Sequence, residues 1–577
     1  MAARLTTYAV VAIVAATLIA GLIVGAQRDD SQGPVDLIVF NAKVYTADGS
    51  GTMAEAVAIR GNQVLRVGTD REIERLRRPQ TVMVDARGAG VLPGFNDSHV
   101  QFVAGALTLD SADLLGAATA DEAQARIRVW AQANPLRPWV VGRGWAPETF
   151  ADGHPSRQLL DAAVPDRPAY MLSSDGRTAW VNTKALRLAG VTRRTANPAN
   201  GVIERDPRTG EPSGVLRASA AALAARLVPA PTPADRAHAL RSAVSEAHRN
   251  GVTSVQDANV APGDFPLYEE ARAAGDLNLR IYASVAVGPE AIADGFSTLD
   301  ALARKYPDDP LFKVGGAHIT LDGPAESPEA ALLDREVAAP AASAGETSID
   351  ADELNRLVRL LDARDWQVTI EAFGDRAVRM ALHAFEHAAR SNPGPPRGRR
   401  HRIEHLGGLP PDDLPRLGAL GIVAVLHPLE ARPATAQVDG GVRVDDDRIA
   451  RSWPAASIAA AKGRLTFVSG WPAAALNPLG AIADAVNGPD PGAAEKDPGT
   501  GGAIALEQAI DAFTRTPAYA SFDEQRKGSL APGMLADLVV LSNDIFAGPV
   551  SQISSTTVAV TIFDGKIVYR RGATPTD

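Results

Sequence analysis

Short apolar runs rich in β-branched residues recur along the chain, each closed by glycine, proline or a polar pair. VLPGFNDSHV (91–100), GVTSVQDA (251–258), LRIYASVAV (279–287), FKVGGAHITLDG (312–323), QVTIEAFGD (367–375), HRIEHLGG (401–408), GIVAVLHP (421–428) and LTFVSGWP (465–472) read as eight strands buried on both faces. Between many of them lie stretches with apolar positions at helical spacing, such as ELNRLVRLLDARD and RAVRMALHAFEHAARS. Strands alternating with helices predict a parallel sheet, and eight such strands close a (β/α)8 barrel. The predicted fold is therefore α/β, with a TIM-type barrel over residues 93–527. Residues 106–250, between the first and second strands, are too many for a loop and predict an inserted subdomain.

The two ends have a different texture. VDLIVFNAKVYTADG, AEAVAIRGNQVLRVG and TVMVDARGAGVLPG near the start are short strands punctuated by turns. MLADLVVLSND and TTVAVTIFDGKIVYRRG near the end repeat that style, the second with an Asp564-Gly565 hairpin signal. One small β domain built from residues 34–92 and 528–577 is expected.

Residues 1–33 stand apart as a hydrophobic segment and a polar linker. YAVVAIVAATLIAGLIVGA (8–26) has no charge, and as a helix it would reach about 28 Å, close to the bilayer core. Arg4 precedes it and Arg28, Asp29 and Asp30 follow. Two readings stay open. One is a transmembrane helix that anchors the protein in the membrane with the barrel on the extracytoplasmic side. The other is a signal cleaved after Val24-Gly25-Ala26, which makes the protein secreted.

Composition narrows the function classes. The 577 residues are 45% apolar and 22% charged, ordinary for a chain that buries a large core. The net charge of −10, with only short basic runs such as Arg399-Arg400, argues against nucleic acid as a partner. Cysteine is absent, which excludes disulfides, thiolate metal sites and thiol nucleophiles.

Candidate chemistry collects at the strand ends, where barrels of this type carry their sites. His99 and Gln101 close the first strand, His318 and Asp322 the fourth, Glu371 and Asp375 the fifth, and His401, Glu404 and His405 lie on the sixth. His427 and Glu430 close the seventh and Ser469-Gly470-Trp471 the eighth. On a strand, positions i and i+2 face the same way, so His99 and Gln101 are expected to look into one space. Any single histidine here could be a packed core residue; five of the ten converging on one mouth point to a site.

VLPGFNDSHVQF, HRIEHLG and GSLAPGMLADLVVL, with DLLGA (113–117), VVGRGWAPETF (140–150) and ERDPRTGEPSGVL (204–216), resemble the amidohydrolase superfamily. The branch is amidohydrolase family 3, which includes N-substituted formamide deformylase-like enzymes. The resemblance spans nearly all of residues 35–572. It implies a metal-dependent barrel that hydrolyses amide-type C–N bonds, other than peptide bonds, with water activated by the metal.

Several positions depart from that pattern. The second histidine of the first strand falls on Gln101, the fourth-strand lysine on His318 and the fifth-strand histidine on Glu371. The sixth-strand histidine is present as His405, and His99 matches on the first strand. A Gly-His pair of the insertion reads Gly176-Arg177, and a seventh-strand Gln-Pro reads His427-Pro428. The eighth-strand aspartate, the family's proton acceptor, falls on Gly470, which has no side chain to accept a proton. Imidazole and carboxylate still bind Zn²⁺ well. If a metal binds, these residue types therefore predict a single divalent ion, zinc, on His99, Glu371 and His405, with or without His318; a retired site holds none. Gln101, Arg177 and His427 are the substrate-facing candidates; an arginine at 177 suits a carboxylate-bearing ligand, and Trp145 lines the mouth or packs beneath it. Two functions stay open: a hydrolase of small amide or acyl compounds with a remodelled metal site, and a catalytically inactive barrel that binds a ligand or serves as a scaffold at the membrane.

Overall fold

The structure, a computed structural model, describes residues 34–150, 153–174, 176–323, 330–333, 345–431, 453–488 and 502–572. The hydrophobic segment 8–26 lies outside the described residues, so the expected transmembrane helix is not among the elements seen. Among the described residues, no helix is long and apolar enough to cross a membrane.

Eight parallel strands form the central sheet: β1 (Phe95–Val100), β2 (Val252–Val260), β3 (Arg280–Ala286), β4 (Phe312–Thr320), β5 (Gln367–Ala372), β6 (Arg402–His405), β7 (Val423–Leu426) and β8 (Arg464–Phe467). They pair in chain order, β1 to β2 and onward to β8. The barrel is nearly closed. At the seam the segment around Phe513 enters: Asn96 N–H donates to the Phe513 carbonyl at 2.7 Å, and Phe467 N–H to the Ala512 carbonyl at 2.9 Å. Higher up, Ser469 N–H donates to the Asp97 carboxylate at 3.1 Å, and Gln101 N–H to the Trp471 carbonyl at 3.2 Å.

Amphipathic helices cover the barrel. The helix Asp375–Ser391 buries Ala377, Val378, Ala381, Leu382, Ala384, Phe385 and Ala388, one stripe at three- and four-residue spacing. The helix Ala351–Asp362 starts where the Asp350 side chain accepts from Glu353 N–H, and it buries Leu354, Leu357, Val358 and Leu361. Below the barrel, the short helix Arg515–Ala520 forms a floor. Its Pro517 carbonyl accepts from Gln256 and its Ala520 carbonyl from Gln367, at 3.0 and 2.7 Å.

Residues between β1 and β2 contain a six-stranded mixed sheet, in order 201–205, 212–218, 178–181, 169–173, 140–145 and 112–113. The chain ends share another six-stranded sheet, in which Leu538–Leu541 pairs antiparallel with Gly90–Pro93. A separate four-stranded sheet comes from residues 37–85. A buried ion pair ties the shared sheet to the barrel: Arg280, at the start of β3, meets Asp537 at 2.6 and 3.0 Å and Asp564 at 2.8 Å.

Candidate metal centre

Four barrel strands bring five ionisable side chains together at their C-terminal ends. Glu404 of β6 is the hub. One of its oxygens, Oε2, lies 2.6 Å from His99 Nδ1 and 3.7 Å from His318 Nδ1. Glu371 of β5 is a second hub, with Oε2 3.4 Å from His318 Nε2 and Oε1 3.2 Å from His405 Nε2. Thr320 also donates its hydroxyl to Glu371 Oε2, at 2.9 Å. The His318 ring thus stands between two carboxylates, one facing each nitrogen.

Local backbone geometry explains how these side chains reach inward. Between Val255 and Asp257 on β2, the facing stretch of β1 runs from Asp97 to Val100, one residue longer. That extra residue is a bulge, which re-aims the side chains after it. Glu404 follows from simple alternation, because Ile403 beside it packs into the apolar core. His405 departs from the regular strand: it has φ 70°, and Leu406 after it has φ 51°. Two consecutive non-glycine residues in this region store backbone strain, as functional sites often do. Phe373 holds the His405 ring, stacked at 3.8 Å between centroids and 23° between planes. Asp322 in turn fixes the Phe373 and Gly374 backbone N–H groups, each at 2.8 Å.

The charges are mutually supported. Burial alone would raise the Glu404 pKa, but the adjacent His99 outweighs it and holds the carboxyl below its usual range. Glu371 is likewise opposed by burial, yet hydrogen bonds from His318 and His405 keep it ionised far below the ordinary carboxylate range. Burial would lower the His99 pKa, and Glu404 raises it above the usual value.

His99, His318 and Glu404 each offer a ligand atom within 4.8 Å of the others. His318 is 3% exposed, and its Nδ1 has no hydrogen-bond partner although it faces this cluster. A buried ring nitrogen without a hydrogen bond, beside a second imidazole and a carboxylate, is a donor set that fits a divalent cation. Two imidazoles and one carboxylate make a three-ligand set with room for a further ligand.

Glu404 is therefore a site residue that the sequence reading left out of the metal set. The signal was its parity with Arg402 on one short strand. The strand ends at Val100, and Gln101 caps the helix Phe102–Thr108 in an exposed position, with no side-chain capping bond. The strand that carries His99 stops one residue short of Gln101, so strand alternation does not extend to it. Arg177 sits in the bend before the strand Thr178–Val181 of the inserted sheet, where its carbonyl accepts from Ala218 N–H at 2.9 Å. His401 is a packed residue, stacked on Phe385 at 4.8 Å and bonded to Asp362 at 3.1 Å. His427 donates from Nε2 to the Ser469 carbonyl at 3.0 Å, and its ring lies against Gly470.

Similar proteins agree with this architecture. Over 544 residues the chain is 27% identical to the putative amidohydrolase YtcJ of Bacillus subtilis, covering 92% of this chain and 98% of that one. It is also 27% identical to an N-substituted formamide deformylase of Arthrobacter pascens, covering 93% and 98%. Among solved structures, an uncharacterised metal-dependent hydrolase from Pyrococcus horikoshii shares the fold, with a TM-score of 0.69, 21% identity and 89% and 99% coverage. With the amidohydrolase family model matching residues 82–569, most of its length, the chain belongs to the amidohydrolase family.

Proposed function

We propose that this protein hydrolyses a carbon–nitrogen bond, other than a peptide bond, in a small amide or acyl compound, at a remodelled metal centre. The observation that carries the reading is the buried, unpartnered His318 Nδ1 facing Glu404 and His99. His99, His318 and Glu404 would hold the ion, for which zinc suits the nitrogen and oxygen donors. Such an ion supplies Lewis-acid activation of a carbonyl and of water. Glu371 and His405 lie beside these ligands, 3.2 Å apart, and form the pair best placed to take up and pass on a proton. Glu371 also bonds the far nitrogen of His318, which fixes the tautomer that leaves Nδ1 available to a cation. Phe373 and Asp322 keep His405 oriented.

One observation favours a second reading, a ligand-binding barrel without turnover: Gly470 offers no proton acceptor at the end of the eighth strand. Metal content of the purified full chain, combined with a panel of N-acyl and formamide substrates, separates the two. Turnover that depends on bound metal supports the hydrolase; a loaded centre that turns over no amide supports the second reading. The hydropathy of residues 8–26 supports an extracytoplasmic barrel tethered at the membrane, and fractionation of tagged cells tests that placement.

A further inference from the structure

Beneath the metal cluster the barrel lumen is polar, where barrels of this type are ordinarily filled by branched apolar side chains. Arg402 lies at its centre. It stands two residues before Glu404 on β6 and is 1% exposed. Its Nη1 donates to the Ser98 carbonyl of β1 at 3.4 Å, and its Nη2 to the Ala520 carbonyl of the floor at 3.1 Å. β6 and β1 are not neighbours in the sheet, so the guanidinium spans the lumen. The Tyr282 ring of β3 lies 5.7 Å from it. Among the described residues, no carboxylate forms an ion pair with Arg402, and Glu404 is engaged by His99 and His318.

Around this charge several polar atoms have no hydrogen-bond partner. Four of them are Arg402 Nε, Thr369 Oγ1, Ser98 Oγ and the Tyr282 hydroxyl; nearer the floor, whose carbonyls their amide nitrogens bond, are the acceptors Gln256 Oε1 and Gln367 Oε1. Thr369 is the register partner of Arg402 on β5, and Ser98 supplies the carbonyl that Arg402 already touches. Thr369 and Ser98 are each 1% exposed. All four groups can donate a hydrogen bond. A buried guanidinium without a direct counter-charge is costly, and a divalent cation above it would add to the positive charge.

We propose that Arg402, Thr369 and Ser98 hold a small monovalent inorganic anion, of the size of chloride, inside the barrel below the metal centre. The site is separate from the metal centre, and only the added charge of a cation above it rests on the proposed function. Water in the same place would satisfy hydrogen bonds but add no counter-charge to that of Glu404, which acts on Arg402 without pairing with it.

Bromide is the probe that separates the two. Crystals of the full chain, grown with bromide replacing chloride, are measured at the bromine absorption edge. The expected result is an anomalous peak in contact with Arg402 Nε, Thr369 Oγ1 and Ser98 Oγ. An ordered water there without anomalous signal, or bromide only at surface positions, overturns the proposal. In solution, replacing gluconate by bromide at constant ionic strength should raise the melting temperature in a saturable way. That rise should be lost in Arg402→Met or, should that variant not fold, weakened in Thr369→Val. A flat response, or an equal rise in the variants, also overturns it.

Discussion

The imidazole of His427 occupies the space that a side chain at Gly470 would need. A Cβ at Gly470 would lie 2.5 Å from His427 Cε1 and 2.6 Å from Nε2, and Gly470 itself has φ 74°. The two departures from the family pattern noted at these positions are thus one packing arrangement. Gly470→Asp should destabilise the protein by about 1–3 kcal/mol, from overpacking and from a backbone conformation unfavourable to a side chain. Adding His427→Ala should recover the overpacking part. Denaturant unfolding of the single and double variants checks this; additive losses would show that the two positions are independent.

The link between the shared end sheet and the barrel makes a stability prediction. Arg280 and Asp537 are 3% and 5% exposed, so Asp537→Ala would leave a buried guanidinium with only Asp564 to meet it. A loss of about 3–5 kcal/mol is expected for breaking such a pair. Thermal unfolding measures it, and a change within about 0.5 kcal/mol, the range of ordinary surface substitutions, would place the strength of this junction elsewhere.

A pH dependence follows from Asp257, buried beside β1. Burial raises its pKa from 3.8 to about 7, against hydrogen bonds from Tyr268 and Phe102 N–H that favour the charged form. The folded state therefore holds this proton more tightly than the unfolded state. Its contribution to stability is greatest below pH 3.8 and declines as pH rises from there to about 7. The slope from one such group is at most about 1.4 kcal/mol per pH unit. Asp257→Asn should remove that share of the slope between those limits. Unfolding free energies of the two proteins at several pH values test it, and parallel curves would contradict it.

The barrel was legible because eight buried strands leave a strong apolar signal, and their order follows from right-handed alternation with helices. The site was legible only in part. His99, His318, Glu371 and His405 come together at the strand ends, but the register that places them depends on a bulge in β1 and a left-handed His405, neither of which has a local sequence signature. Gln101 falls just past the strand, at a helix start. Glu404 was hidden because a two-residue parity on the four-residue strand β6 is a weak signal. The contact between His427 and Gly470 crosses two loops and is visible only in three dimensions.

Substitutions at the two carboxylates should have different effects. Glu404→Gln removes a proposed ligand and should abolish metal binding and any amidase activity together. Glu371→Gln removes a neighbour of His318 and His405; metal should stay bound, with affinity reduced by about 10–100-fold, the usual cost of losing such a supporting partner.

Metal content of the full chain, purified without added metal and compared with Glu404→Gln and Glu371→Gln, is the most direct test of the central claim. A centre on His99, His318 and Glu404 predicts about one equivalent of divalent metal in the native protein, none in Glu404→Gln, and retained metal in Glu371→Gln when the ion is supplied. Metal kept in Glu404→Gln but lost in Glu371→Gln, or a native protein that binds none, would contradict it.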